Sequence, residues 1–191
     1  MAERTNTVKT VRTEGMALEP VRADIDPRVL RNVYGQFPSG VAAVCAAIDG
    51  VPVGMAVSSF TSVSLVPPLV SICVATSSTT WPLLRTRDRI GVSVLGQAHD
   101  DACRRLAART DDRFCGLDLH VTDEDAVLIE GAPAWLDCRV EAEHPGGDHT
   151  LVLLRVTAFR TDPRTRPLVF HRSGFHRLLD AAGPVAAEQE K

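Results

Sequence analysis

The sequence predicts a mainly β protein, an antiparallel barrel of six or more strands with two or three short flanking helices. Apolar, β-prone segments recur along the 191-residue chain, and turn residues separate several of them. Strands and helices do not alternate regularly, as they would in a parallel sheet. A closed or partly open antiparallel barrel therefore fits the pattern best.

The first predicted element is a short amphipathic helix. Asp26 and Pro27 form an N-cap and first-turn pair, and apolar residues recur at helical spacing as far as Phe37. The segments GVAAVCAAI and VPVGMAV then read as two antiparallel strands. They flank Asp49 and Gly50, a pair that is typical of a tight hairpin turn.

Further strands and helices follow from apolar periodicity. LVSICVA and IGVSVL read as buried strands, and Ser78 or Thr79 is a candidate cap for a short helix between them. AHDDACRRLAAR predicts a second helix. AWLDCRVEAEHP, DHTLVLLRVTAFR and PLVFHR predict the last strands, with a turn at Pro145, Gly146 and Gly147 between the first two.

The composition predicts one domain over residues 22–180, between a flexible N-terminal arm (1–21) and a flexible tail (181–191). A hydrophobic content of 45% and a charged content of 24% are typical of a soluble globular protein, without a membrane-spanning run. A net charge of −3 gives no reason to expect nucleic acid as a partner. No secretory signal is evident, so we expect a cytoplasmic location.

Several kinds of site lack support in the sequence. The nucleotide-binding, hydrolase and zinc-protease motifs G-x-G-x-x-G, G-x-x-x-x-G-K-[ST], G-x-S-x-G and H-E-x-x-H are not found. The six histidines are scattered, so no metal site is expected. The five cysteines are odd in number and show no C-x-x-C spacing, which predicts reduced thiols, with Cys45, Cys73 and Cys138 buried in strands.

The most informative stretch runs from Gly54 to Thr80. Hydroxyl side chains crowd residues 58–64, and a second cluster occupies residues 77–80, with a buried strand between the two. Such a segment can be a loop whose hydroxyls bond their own backbone. It can also hold the ribityl chain and phosphate of a flavin, with apolar strands beside the ring and anions favoured at the start of the following helix. Two clusters around one strand favour the ligand site.

Other candidate residues have two interpretations each. His149 opens a strand after the Pro-Gly-Gly turn, where it either faces a cleft or is an exposed hairpin residue. The arginines between residues 85 and 113 either form solvated faces with the aspartates around them, or supply one phosphate contact. The segment from His171 to His176 either closes over a ligand or completes the core.

Taken together, FPSGVAAV, GMAVSSFTSVSLVPPLVSICV, SSTTWPLLR, GVSVL, DRF, GAPAWLDCRV, GDHTLVLLRV and PLVFHRSGFHRL resemble the flavin reductase family, over residues 29–178 and in the family's order. The resemblance implies a Greek-key split β-barrel, usually a homodimer, that passes hydride from NADH or NADPH to FMN or FAD. The reduced flavin then leaves for a partner, a flavin-dependent monooxygenase or halogenase. The sequences of these segments are most similar to those of reductases from actinobacterial secondary-metabolite pathways.

The resemblance also implies roles for individual residues. The expected ribityl and isoalloxazine contacts are Val57, Ser58, Ser59, Phe60, Thr61 and Ser64. The strand beside the ring contains Cys73, Val74 and Ala75, and the phosphate-side contacts are Ser78, Thr79 and Thr80. His149 corresponds to a histidine near the nicotinamide, and residues that can border the cofactors are Phe114, His171, Gly174 and Phe175.

Two other activities remain open from the sequence. A similar split barrel can retain FMN and oxidise a small substrate of its own, or the chain can be a noncatalytic flavin-binding module. Hydride transfer between nicotinamide and flavin needs no protein nucleophile, because the cofactors carry the reactive atoms. The absence of a recognisable triad is therefore compatible with a reductase.

Overall fold

The computed structural model describes residues 18–108, 110 and 112–179. The chain divides into two compact units, Met1–Tyr34 and Gly35–Lys191. Most of the predicted N-terminal arm and the whole predicted tail lie outside the described residues, and the predicted domain boundaries at residues 22 and 180 stay a prediction.

The first unit contains the predicted helix, α1 (Pro27–Tyr34). The Asp26 carboxylate accepts the backbone N–H of Arg28 at 2.9 Å, as an N-cap side chain does. The same carboxylate forms an ion pair with the Arg28 guanidinium at 2.7 Å. Both the helix and its cap are therefore confirmed.

The second unit is built mainly from antiparallel strands. Its helices are α2 (Trp81–Leu84) and α3 (Asp100–Ala107), and a 3-10 turn covers Gln97–His99. The strands are β1 (Ser39–Gly40), β2 (Ala42–Ile48), β3 (Val51–Val57), β4 (Thr61–Leu65), β5 (Pro68–Ala75), β6 (Ile90–Val94), β7 (Leu119–Val121), β8 (Val127–Ile129), β9 (Ala134–Gly146), β10 (His149–Thr161), β11 (Val169–His171) and β12 (Gly174–His176).

Seven of these strands form the main sheet, in the order β3-β2-β6-β9-β10-β5-β4, and every neighbouring pair is antiparallel. The sheet curls until β3 and β5 come into contact without pairing as strands. The hydroxyl of Ser59, just after β3, bridges this gap by donating to the Cys73 carbonyl at 3.0 Å and accepting the Cys73 N–H at 2.8 Å. The predicted split barrel is confirmed, and its split lies between β3 and β5.

Apolar side chains cover both faces of strand β2, which pairs with β3 and β6. Ala42, Val44 and Ala46 belong to the cluster inside the barrel, whereas Ala43 and Cys45 belong to an outer cluster. The outer cluster also contains buried residues of α3 and β8. Because β2 is covered on both sides, its sequence is a continuous apolar run instead of an alternating one.

The two predicted hairpins form, with one change of detail. Asp49 and Gly50 take left-handed φ values of 52° and 78°, as a tight turn between β2 and β3 requires. Between β9 and β10 the turn is Gly147-Asp148, because Pro145 and Gly146 already pair with β10. Proline is tolerated there because β6 pairs with β9 only over residues 134–138, which leaves that edge free.

Several short strands were not predicted from the sequence. The hydroxyl-rich segment forms edge strand β4 instead of a loop, with Thr61 opposite Ser71. Its side chains are mostly exposed, so its polar composition hides a strand that pairs on one side only. Strands β7, β8 and β12 have three residues each, too few for an apolar period to show.

Candidate active site

A cleft lies where the barrel splits, at the ends of β3 and β5. It comprises three neighbouring lobes, and Ala56 lines all three. We call them the ring lobe, the phosphate lobe and the aromatic lobe. The first two are named after the flavin groups that the resemblance leads us to expect there, and the third after the phenylalanines that line it. All of their lining residues belong to the second unit.

The ring lobe has a volume of about 330 Å³ and lies between β3 and β5. Its lining is Met55, Ala56, Val57, Ser58, Ser59, Cys73, Val74, Ala75, Ser78 and His149. Eight of these ten residues were predicted as site residues, so the fold brings together segments that are far apart in sequence. An apolar wall with a hydroxyl rim suits a flat ring that carries a polar chain.

One prediction for this lobe is wrong, and another gains a structural role beside it. The Ser59 hydroxyl makes two hydrogen bonds with the Cys73 backbone, which join the two sides of the split, and its predicted flavin contact stays a prediction. Cys73 was expected to be buried, but its side chain is exposed. The reason is the strand alternation of β5, which turns Ile72 and Val74 into the barrel and Cys73 outward.

His149 is the first residue of β10 and pairs with Ala75 across the sheet. Its Nδ1 lies 2.7 Å from the Asp148 carboxylate, and its side chain is 45% exposed. The Asp148 carbonyl accepts hydrogen bonds from the Thr76 N–H at 2.9 Å and the Thr76 hydroxyl at 3.0 Å. The turn that carries His149 is thus fastened to the end of β5, which fixes the imidazole at the mouth of the lobe.

The phosphate lobe is lined by hydroxyls and one arginine. Its lining is Met55, Ala56, Ala75, Ser77, Ser78, Thr79, Thr80, Leu106, Ala107, Ala108 and Arg113. The Arg113 guanidinium donates to the Thr80 hydroxyl at 2.9 Å and to the Gly54 carbonyl at 3.1 Å. Both acceptors are uncharged, so its positive charge is available to an anion in the lobe.

The helix beside this lobe contributes less than the sequence suggested. The N-cap position of α2 is Thr80, whose side chain makes no capping hydrogen bond, so the predicted cap at Ser78 or Thr79 is wrong in position. The Ser78 hydroxyl still accepts the Trp81 N–H at 3.1 Å. Helix α2 is only four residues long, a single turn, so its dipole is small. Arg113 is therefore the main positive group of this lobe, a residue that sequence reasoning did not separate from the other arginines around it.

The aromatic lobe lies on the other side of the β3 end. Its lining is Val41, Ala56, Val57, Ser58, Cys103, Arg104, Ala107, Phe170, Ser173 and Phe175. Among the predicted residues, Val57, Ser58 and Phe175 lie here. No motif marked Arg104, because the charge pattern of α3 is that of an ordinary amphipathic helix.

Six predicted site residues do not line the three lobes, and their roles stay predictions. Phe60 packs against the cluster inside the barrel, and Phe114 packs against the outer cluster near Gly54. Both side chains are half-buried because their rings pack against these apolar clusters. Thr61 and Ser64 lie on edge strand β4, and the His171 ring packs edge-on against His176. Gly174 pairs with His171 in the β11–β12 hairpin.

In the part of the chain that the structure describes, no three His, Cys, Asp or Glu side chains are grouped so that they can hold a metal ion. In that same part, no helix has the length and apolar character needed to span a membrane.

Comparison with known proteins identifies the family. Residues 34–179 match the model of the flavin reductase like domain. The chain belongs to the flavin reductase family. It is 41% identical over 161 residues to a flavin reductase of Pseudomonas putida, covering 84% of this chain and 95% of that protein.

Two further relatives are informative. The chain is 37% identical to the reductase subunit HsaB of a flavin-dependent monooxygenase from Mycobacterium tuberculosis, over 80% of this chain and 83% of HsaB. Its structure is similar, with a TM-score of 0.80 and 36% identity, to Streptomyces globisporus NADH:FAD oxidoreductase SgcE6 in complex with NAD and FAD fragments. That match covers 87% of this chain and all of SgcE6. The predicted family, fold and oxidoreductase class are confirmed.

The thiols of this flavin reductase provide a direct test of the cleft. Cys73 and Cys115 are exposed, whereas burial raises the pKa of Cys45 and Cys138 to about 12 and of Cys103 to about 11. Raised pKa values leave little reactive thiolate at neutral pH. We therefore expect two of the five thiols to react rapidly with a disulfide reagent in the native protein, and the other three only after unfolding.

Excess FMN should slow the reaction of Cys73, because that thiol lines the ring lobe. Cys115 is the internal control, since it does not line any of the three lobes. Mass spectrometry of the labelled peptides identifies which cysteine has reacted. Equal protection of both thiols by FMN would contradict the location of the flavin site.

Proposed function

We propose that this reductase transfers hydride from NADH to FAD and releases the reduced flavin to a separate flavin-dependent oxygenase. The observation that carries the proposal is the three-lobed cleft at the split of the barrel, which combines an apolar wall, hydroxyls and the Arg113 charge. Similarity to SgcE6 supports the NADH and FAD pair, and similarity to HsaB supports an oxygenase partner.

The residues of the cleft fit a flavin nucleotide in chemical character. Val57, Val74 and Ala75 would contact the isoalloxazine ring in the ring lobe, and Arg113 with Thr79 would hold phosphate. When bound, the flavin accepts hydride from the nicotinamide, and the two cofactors carry the reactive atoms. The protein contributes positioning, which lowers the barrier without a protein nucleophile.

Exposure of the lining supports exchange of the flavin. Ser58 and Cys73 in the ring lobe and Thr79 in the phosphate lobe are exposed. A ligand in such a cleft keeps a route to solvent, as a flavin that must reach another protein requires. We therefore expect much of the purified protein to be colourless, and gel filtration should separate added flavin from it.

The decisive experiment follows NADH oxidation at 340 nm with increasing free FAD, and then the bleaching of FAD without oxygen. We expect each protein molecule to bleach many equivalents of FAD. Bleaching that stops at one equivalent would indicate a flavoenzyme that retains its cofactor. Flavin binding without NADH oxidation would indicate a noncatalytic binding module.

His149 is proposed to position the nicotinamide. His149→Ala should lower kcat/KM for NADH by about tenfold, the effect of a lost orienting contact, and leave the KM for FAD nearly unchanged. His144→Ala is the matched control, because His144 is exposed on neighbouring strand β9 and does not line the ring lobe. Unchanged kinetics for NADH in His149→Ala would exclude the role.

We also propose that the enzyme is a homodimer in the cytoplasm. Several apolar side chains of the second unit are largely exposed, among them Phe37, Leu65, Val66 and Phe159, and a second copy would cover such residues. Five free thiols suit a reducing compartment. Light scattering after gel filtration tests the dimer, and a monomer mass at micromolar concentration would contradict it.

A further inference from the structure

We propose that Glu143 is a positioning residue for the reaction, which holds the hairpin that carries His149 against helix α2. This inference rests on the proposed function and deepens it, because Glu143 lines none of the three lobes. Three observations carry it: the bonds of the Glu143 carboxylate, the face of β9 on which Glu143 lies, and a cavity beside His149.

The Glu143 carboxylate joins β9 to helix α2. One oxygen accepts the indole N–H of Trp81 at 2.7 Å, and the other forms an ion pair with the Arg85 guanidinium. Both oxygens are therefore paired, and the Glu143 side chain is only 19% exposed. Hydrogen bonds to a charged acceptor are stronger than those between neutral groups. The contact between β9 and α2 is thus a specific polar one.

Glu143 lies on the inner face of β9, where an apolar side chain would be expected. It is opposite Val152, which is fully buried inside the barrel, and opposite residues of an antiparallel pair point to the same face. A carboxylate is costly on such a face unless it is paired. Its partner Trp81 is buried in the same inner cluster, so α2 is the fixed side of the contact.

The hairpin is the side that can move. The end of β9 has a free edge, because β6 pairs with β9 only over residues 134–138. Gly146 at that end pairs with His149. A cavity of about 270 Å³ is lined by Glu143 and His149, among other residues of the hairpin. Because this cavity lies beside the imidazole, packing alone does not fix its position.

Two polar contacts instead hold the two strands of the hairpin to the segment 76–85. One is the bond from Thr76 to the Asp148 carbonyl, at the turn before β10. The other is made by Glu143, on β9. Without it, the end of β9 is free to move towards the cavity. The pairing of β9 with β10 then transmits that movement to His149.

The test compares Glu143→Leu, which removes both bonds, with Glu143→Gln, which keeps an oxygen for the Trp81 indole. Leucine suits the inner face, so the first variant should fold. Glu141→Leu is the matched control, because Glu141 is also on β9 and paired with an arginine, but that partner, Arg155, belongs to β10.

Glu143→Leu should lower kcat/KM for NADH about fivefold, less than the loss of His149 itself, and change the KM for FAD less than about twofold. Glu143→Gln should recover most of the lost activity, because an ion pair with the exposed Arg85 contributes little. Glu141→Leu should match the wild type. Values for Glu143→Leu within about twofold of the wild type would overturn the proposal.

A double-mutant cycle separates positioning from a general loss of stability. If Glu143 acts through His149, Glu143→Leu should change kcat/KM for NADH less than about twofold when His149 is already alanine. The same loss in both backgrounds would overturn the proposal. A wild-type protein that oxidises no NADH with any flavin would instead overturn the proposed function.

A second variant breaks the contact from its other end. Trp81→Phe removes the indole donor and keeps an aromatic ring in the inner cluster. It should also lower kcat/KM for NADH about fivefold, and again only while His149 is present. If Glu143→Leu does not fold, this variant decides the question, and a loss that does not depend on His149 would overturn the proposal.

Discussion

Replacing Arg113 with alanine is expected to raise the KM for FMN and FAD about 30-fold and to leave the KM for riboflavin nearly unchanged. A charged hydrogen bond to phosphate contributes about 2 kcal/mol, which corresponds to this factor. Riboflavin has the same ring and ribityl chain without phosphate, so it should not detect the loss. Steady-state kinetics with the three flavins at saturating NADH measures the effect.

Arg87→Ala is the control for a lost positive charge. Arg87 is half-buried, lines none of the three lobes, and its guanidinium donates to the Thr86 hydroxyl. Its removal should change none of the three KM values. If Arg113→Ala raised the KM for riboflavin as much as the KM for FMN, Arg113 would act by holding Gly54 and Thr80 in place. The predicted phosphate contact would then be wrong.

Replacing Gly91 with alanine should have the largest effect on stability. A Cβ at this position would lie 2.1 Å from the Val127 carbonyl oxygen and 2.7 Å from its carbon. Gly91 is on β6, which is paired on both sides, with Cys45 of β2 and Asp137 of β9. Neither β6 nor β8 can move away without breaking a strand pairing, so we expect a loss of about 4 kcal/mol or more in the free energy of unfolding.

Denaturant unfolding followed by circular dichroism measures that loss, and insoluble expression would be its extreme form. Gly40→Ala is the matched control, because a Cβ at Gly40 meets nothing within 4 Å and its φ is not left-handed. This variant should unfold within about 0.5 kcal/mol of the wild type. A Gly91→Ala protein of wild-type stability would show that β6 and β8 are not packed backbone to backbone.

Part of the cleft could be predicted from the sequence. Ser58, Cys73 and Ser78 were predicted as site residues because hydroxyl clusters flank a β-prone run, and all three line the ring lobe. His149 was predicted at the start of its strand and lies at the same lobe. These residues could be found because local pattern and family motif mark them together.

Arg113 and Arg104 could not be found in that way. Each lies among other arginines and aspartates whose pattern is that of a solvated surface. Arg113 lines the phosphate lobe, and its guanidinium donates to Thr80 and Gly54, which are distant in sequence. Arg104 lines the aromatic lobe, where hairpin β11–β12 places the Phe175 ring 4.8 Å from its guanidinium carbon. Neither contact produces a periodic pattern in the sequence.

The sequence by itself determined the β class, the two hairpins, helix α1 with its Asp26 cap, and the segments that form the ring lobe, since each depends on turn chemistry or apolar period over a few residues. Only the tertiary structure decided where the barrel splits, which way Cys73 faces, that the hydroxyl segment is edge strand β4, and which arginines reach the cleft. These features depend on pairing and packing between distant segments, and the physical forces that select them act only once the chain has closed on itself.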